Sequence, residues 1–217
     1  LFSLPYFEKT AYLAQSPQFY KQMAMASGLE KVFEIGPVFR ANPSFTSRHD
    51  TEFTGYDMEI SFIRSHQDVM QAESELIVHV LEQIKKNYGQ EIKTVFGAEI
   101  VVPSLPFPQV TMKQAKIMLK ERNVPSEREG DLSPEEERQL AEIILEKYQH
   151  EFVFITEYSI DIRPFYHMHI ETDPTLTKSF DLVWKGLEIT TGAQREHRYD
   201  ILIEQAKQKG LTLEKLQ

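Results

Sequence analysis

Four groups of residues carry side chains able to do chemistry. The first lies between residues 31 and 63. Arg40 closes the apolar stretch KVFEIGPVFR, the polar run ANPSFTSRHDT follows with Asn42, Arg48 and His49, and EFTGYDMEISFI then brings Glu52, Phe53, Asp57 and Glu59. A fixed guanidinium grips a phosphate with two parallel donors, which lysine does less well, and an aromatic such as Phe53 beside it could stack on a purine. The plainer alternative is a solvated hairpin with surface ion pairs, which are common and weak. The second group is Asp181 and Glu188, placed across a strand, turn and strand. Near phosphates two carboxylates suit magnesium, which takes one or two and keeps several waters; otherwise they are ordinary sheet-edge acids. The third is TTGAQR, residues 190–195, where Gly192 lets a backbone approach a ligand closely and Arg195 could read a carboxylate, unless the segment is a glycine turn before a helix. The fourth is Gln18 with Lys21, which share one helix face that points into a site or into water. His167 and His169 would face one side of a strand, but no third metal ligand stands out. Met168, Trp184 and the aromatic RPFYHM segment read as core.

The elements that must position these groups follow from periodicity and punctuation. Ser16-Pro17 opens a short helix from Gln18 to Ala26, ending near Gly28. Residues 31–40 and 52–63 read as strands, the second with Tyr56, Met58, Ile60 and Phe62 on one face and Asp57, Glu59 and Ser61 on the other. Joined by a long polar loop, they make an antiparallel pair, and long loops in compact domains are often functional. Ser65 caps a helix over about 66–88, with Gly89 as its stop. Further helices are expected at 111–122 and, from Ser133-Pro134 with three glutamates in its first turn, at 134–148. Residues 90–150 therefore read as a helical insertion. Strands are expected at 152–157, 179–185 and 187–191, and a last helix at 198–209 before Gly210. This order is not a βαβ alternation and favours an α+β fold with an antiparallel sheet.

Composition narrows the class. The 217 residues contain 24 Lys plus Arg and 33 Asp plus Glu, a net charge of −9, which argues against a general nucleic-acid coat while leaving room for a local basic groove. There are no cysteines, so a disulfide scaffold, a thiolate zinc site and a cysteine nucleophile are excluded. No apolar run approaches the length of a membrane span, and LFSLPYFEKTAY is not a signal peptide. The chain opens on Leu1 and is read as part of a longer protein. Neither GxGxxG nor the Walker pattern is present.

The segments AQSPQFYKQ, VFEIGPVFRANPSFTSRHDTEFTGYDMEIS and FDLVWKGLEITTGAQREHRYD together resemble the catalytic domain of class II aminoacyl-tRNA synthetases, nearest in pattern to the aspartyl type of archaea and eukaryotes. The resemblance runs along essentially the whole chain and is weakest in 90–150. It implies an antiparallel sheet of six to seven strands flanked by helices. It implies that Arg40 holds the α-phosphate of ATP, that His49 lies by the β- and γ-phosphates with Arg48 and Asn42 near the nucleotide, and that Phe53 stacks on adenine. By the same likeness Gln18, Lys21 and Asp57 line the amino-acid pocket, Lys21 and Arg195 face the side-chain carboxylate of L-aspartate, and Asp181, Glu188 and Thr191 bind Mg2+. The implied partners are ATP, tRNA(Asp) with tRNA(Asn) left open, and a second copy in a homodimer, in the cytoplasm and without a membrane. An asparaginyl enzyme, or a paralogue that forms asparagine from aspartate without tRNA, are the alternatives.

Two departures from the family pattern stand out. The motif that usually reads Arg-x-Glu is here Arg40-Ala41-Asn42, which keeps a polar group and loses a charge. The family's first and third motifs and its N-terminal anticodon-binding barrel are not among these residues, so the 217 residues alone are expected to be inactive as a ligase.

Overall fold

The structure is a computed structural model and describes residues 1–42, 50–126 and 128–212. It divides into two compact units, Leu1–Ile63 and Arg64–Gln217.

The first unit is two hairpins and a helix. Strands β1 (Ser3–Tyr6) and β2 (Lys9–Tyr12) pair antiparallel, α1 spans Gln18–Ala26, and β3 (Lys31–Phe39) and β4 (Glu52–Ile60) form a longer antiparallel pair. Ser16 Oγ accepts the Gln18 N–H at 3.1 Å at the start of α1, with Pro17 already fixing φ for a first turn. Gly28, at φ 99°, ends it. Strands β3 and β4 run in unbroken register from Lys31↔Ile60 to Phe39↔Glu52. Directly paired residues share a face. Val32, Glu34, Val38, Phe53, Asp57 and Glu59 thus lie on one face of the hairpin, and continuing the alternation puts Arg40 there too.

The second unit is built on a four-stranded sheet in the order β10 (Leu187–Ala193), β9 (Ser179–Trp184), β6 (Phe152–Thr156), β5 (Gln109–Thr111). The β10–β9 and β9–β6 pairs are antiparallel, whereas β5 and β6 are parallel. The sheet is therefore mixed and smaller than the expected six to seven antiparallel strands, and among the described residues β1–β2, β3–β4 and β7 (His169–Ile170) with β8 (Asp173–Thr177) stay two-stranded. The parallel pair has a topological cause: β5 reaches β6 through α3 (Met112–Glu121) and α4 (Pro134–Tyr148), the kind of long crossover that parallel strands require.

Both faces of this sheet are covered. Val153, Ile155 and Val183 meet Ala115 and Leu119 of α3 and Leu140 and Ile144 of α4 on one side. Phe152, Phe154, Phe180 and Leu182 meet Phe107 and Met70 of α2 (His66–Phe96) on the other. All five residues of β6 are buried, as befits a central strand. Among the described residues, 90–150 contribute β5 to the sheet and six of the ten buried residues of the core on the α3–α4 side.

Ser65 caps α2 in a reciprocal box with Asp68, and Ser133 and Thr111 do the same for α4 and α3 with Glu136 and Gln114. The expected stop at Gly89 is wrong. A glycine in a helix interior costs about 1 kcal/mol and does not by itself end a helix; α2 continues to Gly97, which at φ 65° takes the left-handed cap. Strands β9 and β10 join through Lys185 and Gly186, both at positive φ (52° and 79°), the pair of conformations a tight right-twisted hairpin needs. The unit closes with α5 (Tyr199–Gln208), where Gln205 Nε2 donates to the carbonyls of Phe165 and His167 at 2.5 and 2.8 Å.

Candidate functional site

In the first unit, α1 delivers Lys21 to the face of β4 that carries Asp57 and Glu59. Its ammonium is paired with Asp57, lies 3.3 Å from Glu59 Oε2, and donates to the Met58 carbonyl at 3.3 Å. The Lys21 side chain is 11% exposed and that of Glu59 10%, so the cluster is shielded enough for its charges to matter. Gln18, one turn earlier, donates through Nε2 to Gln22 Oε1 at 2.9 Å. Further along the same hairpin face, the Arg40 guanidinium sits 5.3 Å from the centre of the Phe53 ring, and its Nε donates to the Gln15 carbonyl at 3.4 Å. The Arg40 N–H donates to Thr51 O at 2.9 Å, extending the ladder one step beyond β3, and Asn42 N–H donates to Arg40 O at 2.9 Å. Arg48 and His49 lie outside the described residues.

In the second unit, Asp181 sits centrally on β9, opposite Thr191 on β10 and Ile155 on β6. Glu188 pairs with Val183, two residues along the same face as Asp181. Residues 188 and 191 differ by three and would face opposite ways on a regular strand. The register slips between Glu188 and Thr190, so Ile189 is the extra residue of a bulge, and Glu188 and Thr191 come to the side of Asp181.

Arg163, which sequence reading assigned to core with the rest of RPFYHM, is central here. It donates to Asp181 Oδ2 at 2.6 Å and to Thr191 Oγ1 at 3.2 Å, and its guanidinium lies 3.8 Å from the centre of the Tyr158 ring. The available signal was an arginine in an aromatic run, where a charge needs a partner. Burial and then Asp181 raise the Tyr158 phenol well above its ordinary value. Burial and the neighbouring Asp181 and Glu137 carboxylates push Glu188 up to about 8, although the residue as a whole is exposed, so solvent screens part of that repulsion.

Arg195 forms a β-bridge with His167, flanked by bonds from Met168 N to Gln194 O and from Glu196 N to Tyr166 O, both 2.9 Å. Its guanidinium lies 5.1 Å from the centre of the Tyr166 ring. His167 is buried, and burial, then Arg195 and Arg163, lower its pKa to about 2, so it stays neutral. Met168 is core as expected, and Trp184 stacks on Phe152.

The acids of this unit fit a divalent cation of modest demands. Asp181 Oδ1 is buried without a hydrogen-bond partner, and Glu188 and Thr191 share its face. Among the described residues no three or more acids, histidines or cysteines gather to hold a metal unaided. Two carboxylates and a hydroxyl suit magnesium whose remaining ligands are water and phosphate oxygens.

The sequence model of a family described as tRNA synthetases class II (D, K and N) matches residues 2–217. The chain belongs to this family. An aspartate–tRNA(Asp/Asn) ligase of Aeropyrum pernix is 43% identical over 219 residues, covering all of this chain and 49% of that protein. An aspartate–tRNA(Asp) ligase of Pyrococcus abyssi is 44% identical over 214 residues, covering 99% of this chain and 49% of its own. Among solved structures, an aspartyl-tRNA synthetase of Entamoeba histolytica aligns with TM-score 0.87 and 36% identity over 94% of this chain and 43% of that one. The asparaginyl-tRNA synthetase of the same organism, in complex with asparaginyl-adenylate, aligns with TM-score 0.87 at 29% identity over 99% of this chain and 48% of that one. This class II chain thus spans about half the length of the curated relatives it matches. Its α+β architecture is that of the class II synthetase domains it aligns with.

Proposed function

We propose that the protein activates L-aspartate with ATP and transfers the aspartyl group to tRNA(Asp), with tRNA(Asn) as a second acceptor to be tested. The observation that carries this reading is Lys21, shielded between Asp57 and Glu59 on the hairpin face that also presents Arg40 beside Phe53. A lysine so placed can exchange an internal carboxylate for that of a substrate, and the released Asp57 can take the substrate ammonium. Gln18 is assigned to the amino-acid pocket and, by the family likeness alone, Arg195 to recognition of the aspartate side-chain carboxylate. The names of the relatives support aspartate as substrate.

In the first step an α-carboxylate oxygen of aspartate bonds to the α-phosphorus of ATP and the bond to pyrophosphate breaks. The attacking group is already an anion, so no general base is needed, and positioning with charge neutralisation carries the step. Arg40 binds the α-phosphate and Phe53 stacks on adenine. Asn42, Arg48 and His49 are assigned to the nucleotide. Asp181, Glu188 and Thr191 would hold Mg2+, which when bound neutralises charge on the phosphates. In the second step a hydroxyl of the terminal tRNA ribose attacks the aspartyl carbonyl and AMP leaves.

We read residues 1–217 as the catalytic part of a longer cytoplasmic homodimer, with an anticodon-binding barrel before it and the third motif after it. The test is ATP–pyrophosphate exchange by the full-length protein. Exchange with aspartate and not asparagine is expected. Preference for asparagine would favour the asparaginyl reading, which the alignment to the Entamoeba histolytica asparaginyl enzyme supports. Ammonia-dependent asparagine formation without RNA would favour a tRNA-independent paralogue, for which the loss of charge at Asn42 leaves room.

A further inference from the structure

Glu73 is a carboxylate in an apolar stripe. With Met70 and Ile77 it lies on the side of α2 that covers the sheet, where Phe107, Phe152, Phe154, Phe180 and Leu182 make the core. It is 8% exposed, and a buried acid there is costly without a specific partner. That partner is Thr190, whose hydroxyl donates to Glu73 Oε1.

Thr190 is the first residue after the bulge in β10 and faces opposite to Glu188 and Thr191. Two residues on, Gly192 lies across from Phe180, whose ring fills the space a Cβ would take. The back of β10 is therefore fixed at two points, Thr190 by a hydrogen bond and Gly192 by a ring, while its front carries Glu188 and Thr191.

We propose that Glu73 is a positioning residue: through Thr190 it holds the slipped register of β10 and so keeps Glu188 and Thr191 turned to the side of Asp181. The inference rests on the reading that these three residues bind a divalent cation. A buried polar contact used to fix register is the best-attested role for such groups, and outer partners of metal ligands typically change affinity by about 10–100-fold.

The test is direct Mn2+ binding to the full-length protein with ATP, followed by electron paramagnetic resonance, beside thermal unfolding. Glu73→Leu and Thr190→Val are expected to weaken Mn2+ by about tenfold or more. Glu73→Gln keeps an acceptor oxygen for Thr190 and is expected to bind Mn2+ nearly as the parent does. Where Glu73→Leu does not fold, Thr190→Val and Thr190→Ser carry the comparison, serine retaining the hydroxyl and the affinity. Unchanged Mn2+ affinity in Glu73→Leu or Thr190→Val, with Asp181→Asn weakening it, would overturn the positioning role and leave the metal reading intact. Unchanged affinity in both Asp181→Asn and Glu188→Gln would remove the metal reading and the inference with it.

Discussion

Replacing Glu73 by Gln isolates the energetic cost of a charge behind the sheet. Burial, reinforced by Asp181 and partly offset by the Thr190 hydrogen bond, pushes the Glu73 carboxyl up from 4.5 to about 7. For an acid raised on folding, the native state favours the proton. The penalty is absent well below pH 4.5, grows as pH rises towards 7, and is complete above it. At 1.36 kcal/mol per tenfold change in proton affinity, the penalty is about 1 kcal/mol at pH 5 and about 3 kcal/mol at pH 8. Glutamine keeps the shape and the acceptor oxygen but has no ionised form to desolvate. Urea unfolding can be followed by the fluorescence of Trp184, the one tryptophan in the sequence, which stacks on Phe152 in the core next to Glu73. The stability of Glu73→Gln relative to the parent should rise by about 2 kcal/mol between pH 5 and pH 8. A difference that is the same at both pH values would refute the account of Glu73 as a desolvated acid.

Arg163→Leu should cost about 3–5 kcal/mol, because it leaves the buried Asp181 carboxylate without its guanidinium; thermal unfolding checks it. Gly192→Ala should cost about 1–3 kcal/mol by forcing the Phe180 ring aside, also read from unfolding. Arg40→Ala should raise the activation barrier in the full-length protein by roughly 3–4 kcal/mol, measured as pyrophosphate exchange; near-normal exchange would contradict its phosphate role. Lys21→Met should raise the KM for aspartate far more than that for ATP in the same assay.

What could be read from the sequence was local. Ser65, Thr111 and Ser133 announced three helix starts because capping is a short-range signal, and the alternation of Tyr56, Met58 and Ile60 against Asp57 and Glu59 announced the faces of β4 because a strand has period two. What was missed depends on distant partners. Gly89 is the exception, a local misreading: it looked like a stop because glycine permits one, but the left-handed cap that ends α2 is the next glycine, Gly97. Strand β5 is three residues long and exists only because β6 is there to pair with it. Arg163 was hidden because its partners, Asp181 and Thr191, come from two strands further along the chain. The bulge at Ile189 was equally hidden: a spacing of three on a strand signals opposite faces unless the register slips.

If Lys21 belongs to the proposed aspartate pocket, its two acids set a condition on what can bind there. With Asp57 and Glu59 as standing counter-ions, the Lys21 ammonium is not a bare cation waiting for an anion from solution. A lone monocarboxylate arriving there would have to evict an internal acid and leave it stranded. On the proposed reading, a zwitterion with a second carboxylate gives Lys21 a new anion and the displaced Asp57 a new cation in one step, so a partner for each separated charge is required before any shape is measured.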